Sequence, residues 1–195
     1  MNNATAQYYL GLIYLINVKV RDINKAIHYI ALAADQNNTN AQYNLGALYI
    51  NDEFIPRDIS KVIHYLKLSA EQNNAVAQYY LGIIYYDCIF IRRDINKAIY
   101  YFSLSANQNN KDAQYMLGFI YFSNLYVERN MIKAIDFFIQ SSSNGKTSAH
   151  FLVGCFYHEG KYVEKDIKKA ISYYKKASSF NHYKAKNNLG IILKR

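Results

Sequence analysis

One short pattern, centred on a glycine, recurs along the whole chain at a nearly constant interval. Its clearest copy runs from Ala77 to Tyr85, where Gly82 follows an alanine by five residues and precedes a tyrosine by three. The glycines of successive copies are separated by 35, 36, 36, 36 and 36 residues: Gly11, Gly46, Gly82, Gly118, Gly154 and Gly190. Self-similarity at such a period is typical of a stacked array, in which each repeat buries its apolar face against its neighbours.

Each copy of the pattern belongs to the first of two predicted helices, which we name helix A. Ala77, Leu81 and Ile84 occupy positions i, i+4 and i+7 and therefore share one face of a helix. A glycine inside a helix costs about 1 kcal/mol relative to alanine. Its recurrence in helix A predicts that a neighbouring helix approaches closely at that point.

Polar residues at fixed positions mark the bounds of the second predicted helix, helix B. Its start follows an Asp or Asn, because these side chains accept a hydrogen bond from an unpaired N–H of the first turn: Asp22, Asp58, Asp94, Asn130 and Asp166. Its end is marked by residues that tolerate the left-handed conformation: Asn37, Asn73, Asn109, Gly145 and Asn181. Residues of the same kind stand in the loop between helices A and B, so a positive φ is also expected at Asn17, Asp52, Asn124 and Gly160.

The run from Gly154 to Ala170, together with the Ala-Gln-Tyr-x-Leu-Gly sequence of other copies, resembles the Sel-one-like repeat (SLR), a relative of the tetratricopeptide repeat. The resemblance extends over essentially the whole chain. It implies an all-α, right-handed superhelical solenoid of antiparallel helix pairs that acts as an adaptor for partner proteins, with helix A on the concave face. Loop glycines of the family are missing at Cys88 and Phe90, which leaves the shape of that loop open.

This organisation predicts a single domain over residues 1–195. The repeats are expected at 6–40, 41–76, 77–112, 113–148 and 149–184, with a capping helix at 185–195. Asn187 replaces an aromatic residue of the earlier copies and has Lys186 and Asn188 beside it, as expected for the polar outer face of a terminal cap. At the other end, Tyr8 and Tyr9 resemble interior residues, so self-association through this edge is a hypothesis.

The composition predicts a basic surface and a reducing environment. The net charge is +9 and the pI is about 9.3, a balance that favours acidic proteins, nucleic acid or anionic membranes as partners, or simply solubility. Cys88 and Cys155 lie in different repeats and are not expected to form a disulfide, so we expect an intracellular, cytoplasmic protein. No apolar stretch reaches the roughly 20 residues of a membrane span.

The sequence predicts no catalytic, cofactor or metal site. Ser143 and Ser172 each begin a Ser-x-x-Lys match to penicillin-interacting enzymes, but the companion motifs of that mechanism are missing from the sequence. His150, Cys155 and His158 offer three candidate zinc ligands without a fourth. We therefore predict a chain that is not an enzyme and binds no cofactor.

The main functional signal is a second apolar row on helix A, opposite the row that packs on helix B. The family resemblance implies that this row lines a groove for an extended peptide or a helix. The alternative is that neighbouring A helices bury it completely. The candidate partner-binding residues are Tyr79, Ile83, Tyr86, Tyr115, Phe119 and Phe122.

Lysines concentrated towards the C-terminus form an alternative binding surface. They are predicted on loops and on the outward side of helix B, where either simple solvation or an anionic partner (RNA, an acidic protein or a lipid surface) explains them. The candidate residues are Lys165, Lys168, Lys169, Lys175 and Lys176. Nucleic acid is not the expected partner, and the base-reading code of pentatricopeptide repeats is not implied. Steep salt dependence would indicate the lysines, and loss of binding on Phe119→Ala or Tyr86→Ala would indicate the groove.

Overall fold

A computed structural model describes residues 3–17, 19–51, 58–87 and 89–194. Within these ranges it contains eleven α-helices and no β-strand. The helices are α1 (Ala4–Ile16), α2 (Ile23–Asp35), α3 (Thr39–Asn51), α4 (Ile59–Glu71), α5 (Ala75–Asp87), α6 (Ile95–Asn107), α7 (Lys111–Ser123), α8 (Met131–Ser143), α9 (Thr147–Glu159), α10 (Ile167–Ser179) and α11 (Tyr183–Leu193). Odd-numbered helices are A helices and even-numbered helices are B helices, so the predicted all-α fold of repeated helix pairs is confirmed.

The chain divides into two compact units, and the boundary between them in the sequence falls within α6. The first extends to Tyr101 and the second begins at Phe102. In the first unit each helix from α1 to α5 packs on the next along the chain, and in the second unit the same holds from α7 to α11. The expectation of one domain over the whole chain stays a prediction.

The predicted helix B starts are confirmed in all five repeats. In each, a side-chain oxygen of the Asp or Asn accepts a hydrogen bond from the backbone N–H of the lysine three residues later. These N···O distances are 3.0 Å at Asp22, 3.1 Å at Asp58, 3.0 Å at Asp94, 3.0 Å at Asn130 and 2.9 Å at Asp166. The polar residue therefore acts as the N-cap that its position indicated.

The predicted left-handed residues after helix B are also confirmed, with φ between 60° and 84° at Asn37, Asn73, Asn109, Gly145 and Asn181. The loop between helices A and B is less regular. Asn124 (φ 55°) and Gly160 (φ 69°) are left-handed as expected, but the prediction for Asn17 is wrong because its φ is −80°. The Asn17 side chain instead accepts a hydrogen bond from the Lys19 N–H at 3.0 Å. Asp52 and Cys88 lie outside the described residues.

The A helices begin two residues before the repeated alanine. The reason is the asparagine that follows the left-handed residue, as at Asn38, Asn74 and Asn110. Its side chain accepts a hydrogen bond from the N–H of the alanine three residues later, at 2.9, 3.1 and 3.0 Å respectively. A loop residue that ends one helix is thus followed at once by a residue that caps the next.

Candidate functional site

A cavity of about 440 Å³ lies in the second unit between helices α7 and α9. Three of the predicted partner-binding residues line it, because Tyr115, Phe119 and Phe122 are spaced at i, i+4 and i+7 along α7. The remaining lining residues come from α8, α9 and the loop after α9: Phe138, Leu152, Cys155, Phe156, Glu159, Lys161 and Tyr162. The cavity is therefore mainly aromatic and aliphatic, with two charged side chains at the C-terminal end of α9.

Two aromatic rings of this cavity are partly exposed to solvent and pack against two that are buried. Phe119 and Phe122 are each 37% exposed, whereas Phe138 is 1% exposed and Phe156 is 7% exposed. The centroid of the Phe122 ring lies 6.5 Å from that of Phe138 and 6.1 Å from that of Phe156, within the range of aromatic pairs. Buried rings thus hold Phe122 in place while one face of it remains accessible.

The polar groups near the cavity are held in ordinary structural roles. Burial raises the pKa of Tyr115, which the Lys146 ammonium 5.6 Å from the ring centroid partly opposes. Lys146 in turn pairs with Asp112 at 2.5 Å. Burial also raises the pKa of the Cys155 thiol, so this group stays protonated at neutral pH and is a poor nucleophile. The cavity is suited to apolar contact, with no activated group among these residues.

The other predicted groove residues lie in the first unit. Tyr79, Ile83 and Tyr86 are on α5 and are half-buried. The Tyr79 ring contacts Tyr80 at 5.5 Å, and Tyr80 contacts Tyr43 of α3 at 5.9 Å. The contact with the neighbouring helix α3 is made by Tyr80, and the assignment of Tyr79, Ile83 and Tyr86 to a binding surface stays a prediction.

Sequence reasoning missed several residues that shape the cavity. Tyr162 comes from a loop, and its ring lies 6.4 Å from Phe156. Phe138 lies on helix B, outside the predicted row, and its ring also lines the cavity. Periodicity along helix A could identify Phe119 and Phe122, but it carries no information on a loop residue that folds over the helix.

All five candidate lysines of the alternative surface are exposed. Lys169 pairs with Asp166 at 3.6 Å and lies 5.1 Å from the centroid of the Tyr157 ring. The equivalent lysines in the other repeats lie over the equivalent tyrosines at 5.1–5.4 Å: Lys25, Lys61, Lys97 and Lys133. Lys169 thus belongs to a contact that every repeat uses. Lys176 lies 5.6 Å from the centroid of the Tyr173 ring.

The candidate zinc ligands are engaged in hydrogen bonds with protein groups. His150 Nδ1 lies 2.5 Å from Ser142 Oγ. The Tyr174 hydroxyl oxygen lies 3.3 Å from His158 Nδ1 and 3.5 Å from Cys155 Sγ. Within the described ranges, no group of three or more His, Cys, Asp or Glu side chains is arranged to hold a metal ion.

Substitution of His150 is expected to remove part of the pH dependence of stability. Burial lowers the pKa of His150, and the Lys176 ammonium acts in the same direction. The folded chain therefore keeps His150 neutral at a pH where the unfolded chain, with a histidine pKa near 6.5, has already bound a proton. The free energy of unfolding should fall as the pH drops through this range. Urea unfolding from about pH 8 to about pH 5 measures this fall.

Glutamine is the informative replacement because Gln42, Gln78 and Gln114 occupy the same position in earlier repeats. Each donates a hydrogen bond to a carbonyl oxygen of the preceding B helix, at 3.1–3.2 Å. We expect His150→Gln to flatten the pH profile, and His28→Gln on the exposed face of α2 is the matched control for the loss of an imidazole. An identical profile for wild type and His150→Gln would contradict the assignment.

The predicted N-terminal contact surface is only partly accessible. Tyr8 is half-buried, and its hydroxyl accepts a hydrogen bond from Asn44 Nδ2 at 2.7 Å. Tyr9 is 59% exposed, and Ile13 and Ile16 follow it along α1 at 48% and 72%. Self-association through this helix stays a prediction.

None of the helices in the described ranges has the length and apolar character needed to cross a membrane.

Comparison with known proteins identifies the repeat. A family model described as the Sel1 repeat matches residues 4–38, 39–74, 75–110, 111–146 and 147–179. Each match begins at the first residue of an A helix. The structural repeat therefore starts directly after the N-cap residue, two residues before the alanine at which the sequence pattern placed it. No curated protein matched the chain.

Solved structures with the same repeat superpose on the chain. A Sel1 repeat protein from Oxalobacter formigenes has a TM-score of 0.88 at 26% identity, covering 100% of this chain and 80% of that one. A protective antigen of uropathogenic Escherichia coli that displays an SLR fold has a TM-score of 0.84 at 29% identity, covering 98% of this chain. The present chain spans 41% of the length of that antigen. Helicobacter pylori cysteine rich protein B shares the fold at 22% identity and a TM-score of 0.54, over 68% of this chain and 96% of that one.

Proposed function

Because the chain belongs to the Sel1 repeat family, whose members generally mediate protein–protein interaction, we propose that it is a binding module that holds a peptide by a large apolar side chain. The proposed site is the cavity between α7 and α9. The family is typically made of non-enzymatic scaffolds, and the half-buried, protonated Cys155 thiol of this site agrees with such a role.

The observation that supports the proposal is the exposed pair Phe119 and Phe122 over an apolar cavity. Large apolar side chains exposed together are typical of interaction sites. A volume of about 440 Å³ lies at the lower end of the range for binding pockets, so it suits one or two side chains of a peptide. Glu159 and Lys161 at one end of the cavity could then pair with polar groups of the bound chain.

The test is a selection of random peptides on the immobilised protein, followed by affinity measurement by fluorescence anisotropy. Selected peptides should share an aromatic or long aliphatic residue. Replacement of Phe119 and Phe122 by Ala should weaken their binding by about 30-fold or more, the scale of an interface hot spot. Phe180→Ala is the matched control, since Phe180 is 63% exposed and lies outside the cavity.

Two results would contradict this proposal. Equal affinity of the wild type and the Phe119/Phe122 variant would remove the cavity from the site. Acidic peptides whose affinity falls steeply with salt, and whose binding is reduced by Lys165→Gln and Lys168→Gln, would assign binding to the lysine surface. Circular dichroism of each variant checks that the helices are retained.

A further inference from the structure

The loops that lead from helix A to helix B carry the most exposed large apolar side chains of the described chain. Ile89 is 88% exposed, Ile132 is 78% exposed and Ile16 is 72% exposed, and each lies in such a loop or in the helix turn beside it. Leu125, in the loop between α7 and α8, is 66% exposed. By contrast, the loops from helix B to helix A are mostly polar, as in 36–38, 72–74 and 108–110. The three most exposed of these side chains therefore lie at one end of the helix pairs, although Phe180 and Tyr183 (63% and 66%) lie beside the opposite loop between α10 and α11.

The loop of residues 124–130 is held in shape by hydrogen bonds at its base. The Asn130 N–H donates to the Tyr121 carbonyl at 3.0 Å, and the Arg129 N–H donates to Asn124 Oδ1 at 3.0 Å. The loop after α9 is closed in the same way, by the Asp166 N–H and the Tyr157 carbonyl at 3.0 Å. These bonds close the loop at its base, and Leu125, next to Asn124, is exposed there.

The second unit also carries most of the positive charge. From residue 102 onward the sequence contains 14 Lys and Arg and 6 Asp and Glu, so this unit holds +8 of the net +9. Lys161, Lys165 and Lys168 are exposed in and beside the loop after α9. The acidic side chains in these two loops are Glu128, Glu164 and the cap Asp166, and Asp166 is paired with Lys169.

We propose that this end of the second unit binds the surface of an anionic lipid membrane. Leu125, Tyr126 and Ile132 would enter the headgroup region, and Lys161, Lys165 and Lys168 would contact lipid phosphate and carboxylate groups. Apolar side chains flanked by lysines are the combination that attaches a protein to a membrane surface without crossing it.

The type of the exposed apolar side chains favours a lipid surface over the other anionic partners. Leu125 and Ile132 are aliphatic and cannot stack on bases as aromatic side chains do in nucleic-acid grooves. Protein interfaces are depleted in lysine, whereas exposed Lys161, Lys165 and Lys168 accompany these apolar side chains. Lys161 lines both this surface and the peptide cavity, so the test changes only Leu125, Ile132, Lys165 and Lys168, which lie outside the cavity.

The test is co-sedimentation of the full chain with vesicles of phosphatidylcholine alone or mixed with phosphatidylserine. We expect binding only to the phosphatidylserine vesicles, and weaker binding as salt is raised. Replacement of Leu125 and Ile132 by Ser should weaken the apparent affinity by at least about tenfold, because each loses the burial of a large aliphatic side chain. Replacement of Lys165 and Lys168 by Gln should weaken it and flatten the salt dependence.

The matched control replaces Phe180 and Tyr183 by Ser, since these side chains are as exposed (63% and 66%) but lie beside the opposite loops. The control variant should bind as the wild type does. No binding to phosphatidylserine vesicles, or equal loss in the control, would overturn the proposal. Salt-sensitive retention of an RNA oligonucleotide that is unaffected by the Leu125 and Ile132 changes would also overturn it, in favour of nucleic acid.

Discussion

Phe138→Ala is expected to lower the free energy of unfolding of the second unit by about 3–5 kcal/mol, the usual cost of removing a buried phenyl ring. Phe138 is 1% exposed, and its ring contacts Tyr115 at 5.5 Å and Phe156 at 6.0 Å. It also fills the space that Gly118 leaves open, since a Cβ at that glycine would lie 2.8 Å from the Phe138 ring. Helices α7, α8 and α9 would all lose contacts around the resulting void.

Urea unfolding followed by circular dichroism measures the effect of Phe138→Ala. Repeat arrays can unfold in steps, so the transition of the second unit has to be resolved from that of the first. Phe180→Ala is the control, because its ring is 63% exposed and its removal should change stability by no more than about 0.5 kcal/mol. If Phe138→Ala lowered the free energy of unfolding by less than about 1 kcal/mol, the helices would have closed over the void. That result would contradict a rigid packing of α7, α8 and α9 around Phe138.

The fold was predictable because the residues that begin and end each B helix act through a hydrogen bond or a backbone conformation within a few residues of the chain. Asp22 and its equivalents cap helix B through a backbone N–H only three residues away, so neighbouring repeats are not needed to recognise the cap. Asn37 and its equivalents share a left-handed φ with Gly145, and the exchange of Asn and Gly at one position already indicated this. Five independent copies of each signal made the assignment secure.

The failure at Asn17 shows the limit of the same reasoning. Asn124 and Gly160 occupy the same repeat position and are left-handed, yet Asn17 is extended. The first loop between helices A and B is one residue shorter than the later ones, which is why Gly11 and Gly46 are separated by 35 residues instead of 36. In this shorter loop the Asn17 side chain accepts a hydrogen bond from the Lys19 N–H. A residue type that permits a positive φ does not require one, and loop length decides between the two conformations.

The candidate site was only partly predictable because it depends on which helices meet. Phe119 and Phe122 follow from the helical period, but the same period marks Ile83 and Tyr86 in the first unit equally well. The difference arises from Phe156 and Tyr162, which lie about 40 residues further along the chain and complete the cavity from the side. The structural role of Lys169 was not predictable either, because its contact with the Tyr157 ring depends on how the helices pack.

Alanine substitutions at two equivalent glycines are expected to change stability in opposite directions. A Cβ at Gly11 would lie 2.5 Å from Ile30 Cγ1 and 3.1 Å from both the Ala26 carbonyl oxygen and the Ile30 backbone nitrogen. Because backbone atoms of α2 are involved, the clash cannot be relieved by a side-chain rotation alone. We expect Gly11→Ala to cost about 1–3 kcal/mol, even though alanine is the better helix former.

Gly190 occupies the same position in α11, but no atom of another element lies within 4 Å of the Cβ position. Gly190→Ala should therefore raise the free energy of unfolding by as much as about 1 kcal/mol, the helix propensity gain alone. The two variants should differ by about 2–4 kcal/mol in urea unfolding, although they make the same chemical change in the same kind of helix. Equal effects would show that the repeated glycine is a local helix feature. Opposite effects would show that helix A requires glycine because helix B approaches it closely at that position.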